Sequence, residues 1–92
     1  MKLAVIGAGN MGGAIATAVI QAELVHPKNL LLIEPDERKR ENLGNQLSCV
    51  SSNQFDDLSE KFDLILLAIK PQILGEVLTN LRVHLHPHQL LL

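Results

Sequence analysis

The chain has 92 residues, 47% of them hydrophobic, and its 8 Lys and Arg against 10 Asp and Glu give a net charge of −2. That length allows one small domain, and the hydrophobic content is enough for a buried core and too high for disorder. The absence of a basic block and an aromatic content of 2% argue against a nucleic-acid surface, and no run of 18 apolar residues exists that would cross a membrane.

The first strand is expected over Lys2–Ile6. Its consecutive apolar residues suit a central parallel strand covered on both faces. Gly7-Ala8-Gly9-Asn10-Met11-Gly12 follows at once, with the spacing G-x-G-x-x-G, and a helical pattern in Ala14, Ile15, Ala18, Val19 and Ala22 carries a helix from about Asn10 to Ala22. In this setting Gly7 permits the tight turn, Gly9 lets the backbone approach a pyrophosphate, and Gly12 lets the helix pack close to the strand. The phosphates would rest on unpaired N–H groups at the positive end of the helix. A bare strand-to-helix turn uses the same glycines. The strand before and the helix after favour a dinucleotide site, for NADP or NAD. Lys2 and the small residues at Ala14-Ile15-Ala16 mimic a secretory signal, but the glycines and Asn10 interrupt any apolar core of one.

Leu24–Asn29, punctuated by Pro27, is a connection, and Leu30–Ile33 is the second strand. It ends at Glu34, about twenty residues beyond the glycines, where an acidic residue meets the adenosine ribose hydroxyls and would repel a 2′-phosphate. A solvated charge at a strand end is the plainer alternative. Asp36 is placed to cap a second helix that runs to about Leu47, with Leu43 and Leu47 facing inward. Arg38, Lys39 and Arg40 form a short basic run that either stays solvated or reaches a 2′-phosphate, against the preference set by Glu34.

Cys49-Val50 reads as a short third strand. Cys49 is the single cysteine, so no internal disulfide forms, which fits a reducing compartment such as the cytoplasm; as a small apolar residue it reads as core rather than as a nucleophile. Ser51-Ser52-Asn53 lies at the strand's carboxyl end, where doubly wound sheets bind ligands, and Ser52 or Asn53 equally suits the cap of a short helix from about Gln54 to Glu60. Phe62–Ile69 is the fourth strand and closes in Lys70-Pro71-Gln72. Pro71 suits a first helical turn, and Ile73, Leu74, Val77, Leu78 and Leu81 continue at helical spacing, weakened modestly by Gly75. His84, His86 and His88 alternate, but Pro87 interrupts them and no carboxylate or cysteine is near in sequence, so they are read as a connection and no metal is assigned. Gln89–Leu92 opens a fifth strand.

Strands and helices alternate throughout, which predicts an α/β fold: a truncated Rossmann-like doubly wound parallel sheet with strand order 3-2-1-4-5.

Ile6-Gly7-Ala8-Gly9-Asn10-Met11-Gly12-Gly13-Ala14-Ile15, taken with Leu67-Ala68-Ile69-Lys70-Pro71-Gln72, resembles the amino-terminal domain of pyrroline-5-carboxylate reductase. The glycine motif is shared with other dehydrogenases; the Ala-x-Lys-Pro-Gln run closing the fourth strand is narrower. The resemblance spans essentially the whole chain. It implies that Gly7, Ala8, Gly9, Asn10, Met11 and Gly12 hold the pyrophosphate, that Glu34 sits at the adenosine ribose, and that Asn53 touches the cofactor. It also implies that Ala68, Ile69, Lys70 and Pro71 line the nicotinamide side. NADPH-using members often carry a small hydroxyl residue where Glu34 stands, so NADP and NAD both stay open.

The activity implied is reduction of 1-pyrroline-5-carboxylate to proline by a complete cytoplasmic enzyme, of which residues 1–92 supply the amino-terminal part of the dinucleotide-binding domain. The family's carboxyl-terminal domain, which builds its dimer and much of its substrate pocket, is not among these residues. The chain alone is therefore expected to be inactive, and a homo-oligomer is expected only of the full-length protein. No catalytic residue is assigned. Two other readings compete: the nucleotide-binding part of another dehydrogenase, such as a β-hydroxyacid dehydrogenase relative, and a non-enzymatic NAD(P)-sensing module.

Overall fold

The apolar runs pair side by side. In the computed structural model, which describes residues 1–92, five strands form one sheet: β1 (Leu3–Ile6), β2 (Leu30–Ile33), β3 (Val50–Ser52), β4 (Leu64–Leu67) and β5 (Leu90–Leu91). Their order is β3-β2-β1-β4-β5, and every neighbouring pair is parallel. The three helices are α1 (Asn10–Gln21), α2 (Glu37–Leu47) and α3 (Pro71–Leu81). This is the expected Rossmann-like doubly wound arrangement.

Alternation along the strands divides the core into two layers. Leu3, Val5, Leu30 and Leu32 face one side, where Ala16 of α1 and Leu43 and Leu47 of α2 cover them. Ala4, Ile6, Leu31, Ile33 and Ile65 face the other, where Leu81 of α3 joins Leu58 and Phe62. β1 and β2 are therefore apolar at every position because both faces are covered.

Register brings the functional edge together. Ile6 lies beside Ile33 on one side and Leu67 on the other, so the carboxyl ends of β1, β2 and β4 stop level with one another. Gly7, Glu34 and Ala68 are the next residues on each. The N–H of Gly7 donates to the Ile33 carbonyl at 2.8 Å, and that of Ala68 donates to the Ile6 carbonyl at 2.8 Å.

Local chemistry sets the helix ends. The Asp36 carboxylate accepts the Lys39 N–H at 3.0 Å and caps α2 as expected, and Ser48 closes that helix in the left-handed region at φ 56°. Lys70 is the N-cap of α3 and Pro71 its first residue.

Three expectations need correction. The helix expected over Gln54–Glu60 is only a single 3-10 turn at Phe55–Asp57. The Ser52 hydroxyl accepts the Gln54 N–H at 3.0 Å and bonds to the Asp57 carboxylate, so the side chains take over turn contacts that a helix would make with its backbone. The third strand is Val50–Ser52 rather than Cys49-Val50, because Cys49 still donates its N–H to Gly44 at the end of α2. The fourth strand is shorter than Phe62–Ile69: Phe62 precedes it as a core side chain, and Ala68 and Ile69 belong to the turn that follows.

Candidate functional site

The site is built around the turn from β1 into α1. Gly7 has φ 107°, a conformation that L side chains rarely adopt, and a Cβ there would collide with the Ala68 carbonyl oxygen. A Cβ on Gly12 would collide with the Gly7 carbonyl oxygen and lie 3.2 Å from the Ala68 Cβ. These two glycines let the turn and the start of α1 fold down onto the end of β4. Gly9 differs from both. Its φ of −77° suits any residue, and a Cβ there would meet nothing within 4 Å. No neighbour in the protein requires a glycine at that position; the missing side chain leaves the backbone open at the helix start.

The amides around Gly9 are open as well. The N–H groups of Gly9, Asn10, Met11 and Gly12 enter none of the backbone hydrogen bonds, and Gly13 is the first to find an acceptor, the Gly9 carbonyl at 2.8 Å. No side chain caps α1, and no acidic residue lies in its first turn. A helix end of this kind presents donors and partial positive charge to an anion.

Ala8 is committed elsewhere. Its N–H donates to Glu34 Oε1 at 2.8 Å, while the other carboxylate oxygen of Glu34 accepts the Asp36 N–H at 2.9 Å. Glu34 is the one charged residue that is buried, 9% exposed. Arg40 reaches back from α2, and its Nη1 donates to the backbone carbonyl of Glu34 at 2.9 Å and to that of Pro35 at 3.4 Å.

Beside Glu34 opens a cleft of about 410 Å³, within the size range of small-molecule sites. It runs along the carboxyl edge of the sheet under α3. Gly7, Glu34, Asn53 and Ile69 line it, so four residues singled out in the sequence come together there. Gly9, Asn10, Met11 and Gly12 continue from Gly7 as the start of α1. Ala68 packs behind the glycine turn. Lys70 and Pro71 are exposed at the head of α3 and form no part of the cleft wall.

Sequence reasoning missed Pro35, Phe55 and four residues of α3: Ile73, Glu76, Val77 and Asn80. Those four lie at the spacing of one helical face, which was the available signal. Ile73 is 45% exposed on the cleft rather than buried in the core. Periodicity marks a helix face without saying whether protein or ligand covers it.

The remaining polar groups lie elsewhere. His84 Nε2 is 3.6 Å from Asp56, and His88 Nε2 is 2.6 Å from the Glu60 carbonyl. No three His, Cys, Asp or Glu side chains gather as a metal-holding group. Half-buried Cys49 has its thiol pKa raised by desolvation, with a backbone hydrogen bond opposing that shift. No helix is long and apolar enough to cross a membrane.

A doubly wound parallel sheet with a glycine turn, an open helix N-terminus and an acidic residue closing β2 is the arrangement of a Rossmann-like dinucleotide-binding fold. Residues 2–92 match the family described as NADP oxidoreductase, coenzyme F420-dependent, and the chain belongs to that family.

A pyrroline-5-carboxylate reductase of Methanosarcina acetivorans is 35% identical over 81 residues, covering 88% of this chain and 30% of the relative. The reductase of Escherichia coli is 29% identical over 89 residues, covering 97% of this chain and 33% of the relative. The crystal structure of a Plasmodium falciparum pyrroline carboxylate reductase with NADP bound superposes with a TM-score of 0.80 at 30% identity, over 99% of this chain and 32% of that one. Synechocystis arogenate dehydrogenase has a TM-score of 0.83 at 20% identity, over 99% of this chain and 31% of that one, a likeness of fold alone. The chain thus spans about a third of the length of the relatives it matches.

Proposed function

We propose that this chain binds NADP or NAD as the cofactor-holding part of a pyrroline-5-carboxylate reductase. The observation that carries the reading is the row of unpartnered N–H groups from Gly9 to Gly12, set beside a cleft that Glu34 and Asn53 line. In this reading the pyrophosphate lies on those amides, against the side-chain-free face of Gly9. The adenosine ribose meets Glu34, and the adenine enters the cleft between Ile33 and Ile73. Ala68, Ile69, Lys70 and Pro71, at the close of β4, flank the nicotinamide. Identity to reductases of that name over most of the chain supports the choice of reaction, as does the run Ala68-Ile69-Lys70-Pro71-Gln72.

A reduced nicotinamide bound here would supply hydride to the C=N carbon of 1-pyrroline-5-carboxylate, the ring nitrogen taking a proton, to give proline. The residues of this chain bind and orient; none is assigned to donate that proton. We place the substrate pocket and the dimer contacts of the whole protein in residues outside this chain.

Titrating the 92-residue chain with NADH and with NADPH, following nicotinamide fluorescence, tests the reading. Saturable binding that Gly9→Asp abolishes supports it, because a side chain and a negative charge there meet the pyrophosphate. A folded chain that binds neither nucleotide contradicts it. The choice of reaction is tested by fusing the chain to the carboxyl-terminal part of the Methanosarcina acetivorans relative. Turnover of pyrroline-5-carboxylate by the fusion and none by the chain alone is the expected result. Turnover by the chain alone refutes the assignment of the pocket to residues outside it.

A further inference from the structure

We propose that Glu76 and Asn80 on α3 read the edge of the nucleotide's purine, and that the Glu76 carboxylate makes this chain select a base with an amino group at C6 over one with a carbonyl there. The inference rests on the dinucleotide reading above and adds to it the side chains that recognise the base.

The cleft has an apolar body and a polar rim. Ile33 at the end of β2 and Ile73 and Val77 on α3 contribute to the apolar lining. Glu76 and Asn80 line the same cleft from the same helix. They stand at i,i+4 to one another, as Ile73 and Val77 do, so a row of polar side chains runs beside a row of apolar ones.

Both polar side chains are open to a ligand. The neighbouring Thr79 gives its hydroxyl to the Gly75 carbonyl at 2.9 Å, whereas Glu76 and Asn80 make no side-chain hydrogen bond, and the one ion pair in the molecule joins His84 to Asp56. Both are exposed and can be reached from the cleft. Glu34, the other carboxylate on the wall, already has its two oxygens on the Ala8 and Asp36 amides. No lysine or arginine lines the cleft. Its walls therefore suit a flat, uncharged group that carries an N–H donor on its edge, which describes an aminopurine and not a phosphate.

The two rim groups differ in what they accept. An ionised carboxylate only accepts hydrogen bonds, while an asparagine amide donates from one atom, accepts at the other and can turn over. Glu76 thus pairs with the N6 amino group of adenine and opposes the C6 carbonyl that hypoxanthine has in its place. Asn80 donates to N1 of adenine or accepts from N1–H of hypoxanthine, so it adds affinity without choosing between them. A site built around one hydrogen bond rejects an analogue that cannot make it, because its own polar group is left without a partner.

NADH and deamino-NADH differ only at C6 and the adjoining N1, and both carry the fluorescent dihydronicotinamide. Titrated into the 92-residue chain, NADH is expected to bind at least about fivefold more tightly. Glu76→Gln, whose amide can donate to the carbonyl, should bring the two affinities within about twofold, chiefly by improving deamino-NADH. Asn80→Ala should weaken both nucleotides and keep their ratio within about twofold of the wild-type value. Circular dichroism on each variant shows that it is folded.

Equal affinities in the wild type, or a ratio that Glu76→Gln leaves unchanged, overturn the proposal and leave the dinucleotide reading standing. A ratio lost in Asn80→Ala overturns the assignment of the choice to Glu76. A folded wild type that binds neither nucleotide overturns both this proposal and the reading it rests on.

Discussion

Alanine at Gly9 and alanine at Gly12 should have opposite effects on stability. At Gly9 the backbone is already in a region alanine adopts, and the new Cβ meets nothing within 4 Å. The substitution then acts mainly by restricting the unfolded chain, which stabilises by about 0.4–1 kcal/mol. For a domain of this size that raises Tm by roughly 2–8 °C. At Gly12 alanine gains up to about 1 kcal/mol of helix propensity. Its Cβ, however, runs into the Gly7 carbonyl and crowds the Ala68 Cβ at 3.2 Å. Neither can give way easily, because Gly7 sits at φ 107° with its N–H bonded to Ile33. Overpacking of this kind costs about 1–3 kcal/mol, and a backbone oxygen held in place puts Gly12 at the upper end, so the net loss is about 1–2 kcal/mol and Tm falls by roughly 4–16 °C. Binding should respond differently: Gly9→Ala puts a methyl group where the pyrophosphate would approach and weakens NADH by about tenfold or more, despite its higher Tm. Thermal melts followed by circular dichroism, with NADH titrations on the same samples, read both effects. A Gly9→Ala protein that melts as low as Gly12→Ala, or that binds NADH like the wild type, would refute this division of roles.

Ile65→Ala empties a fully buried position in the layer under α3 and should cost about 2–5 kcal/mol, read as a lower urea midpoint with an unchanged slope. Asp36→Ala removes the cap on the Lys39 N–H and should cost about 1 kcal/mol, with Asp36→Asn restoring most of it in the same melts. Cys49 gives a pH signature. Burial holds its thiol pKa above the ordinary 9.0, so the contribution of the neutral thiol is complete below that pH and is lost as pH rises through the folded value. Stability measured in urea should therefore decline in the alkaline range for the wild type more than for Cys49→Ala; identical profiles would refute it.

The fold was legible because its strong signals are local and agree. Continuous apolar runs at Leu3–Ile6, Leu30–Ile33 and Leu64–Leu67 mark strands covered on both faces, and the helical stretches between them leave a parallel sheet as the consistent solution. Asp36 and Pro71 marked the starts of two helices correctly. The helix expected over Gln54–Glu60 failed where short polar side chains decide the backbone. There the Ser52 hydroxyl bonds to the Asp57 carboxylate and accepts the Gln54 N–H, and composition alone could not choose that turn over a helix.

Much of the candidate site was legible too, since four of the singled-out residues line one cleft. Its wall on α3 was not, because Ile73 and Val77 have the same spacing whether they face core or ligand. Nor could the sequence reveal that Glu34 holds the Ala8 amide across 26 residues of chain, a contact that exists only once β1 and β2 are in register.

The most direct test of the account is an amide-resolved NMR titration of the 92-residue chain with NADH. The account predicts that the largest shifts fall on the amides of Gly9, Asn10, Met11 and Gly12 and on Asn53 and Ile73 at the cleft, with the far ends of β1 and β2 at Leu3 and Leu30 unmoved. Shifts confined to other surfaces, or none in a well-dispersed spectrum, would contradict it.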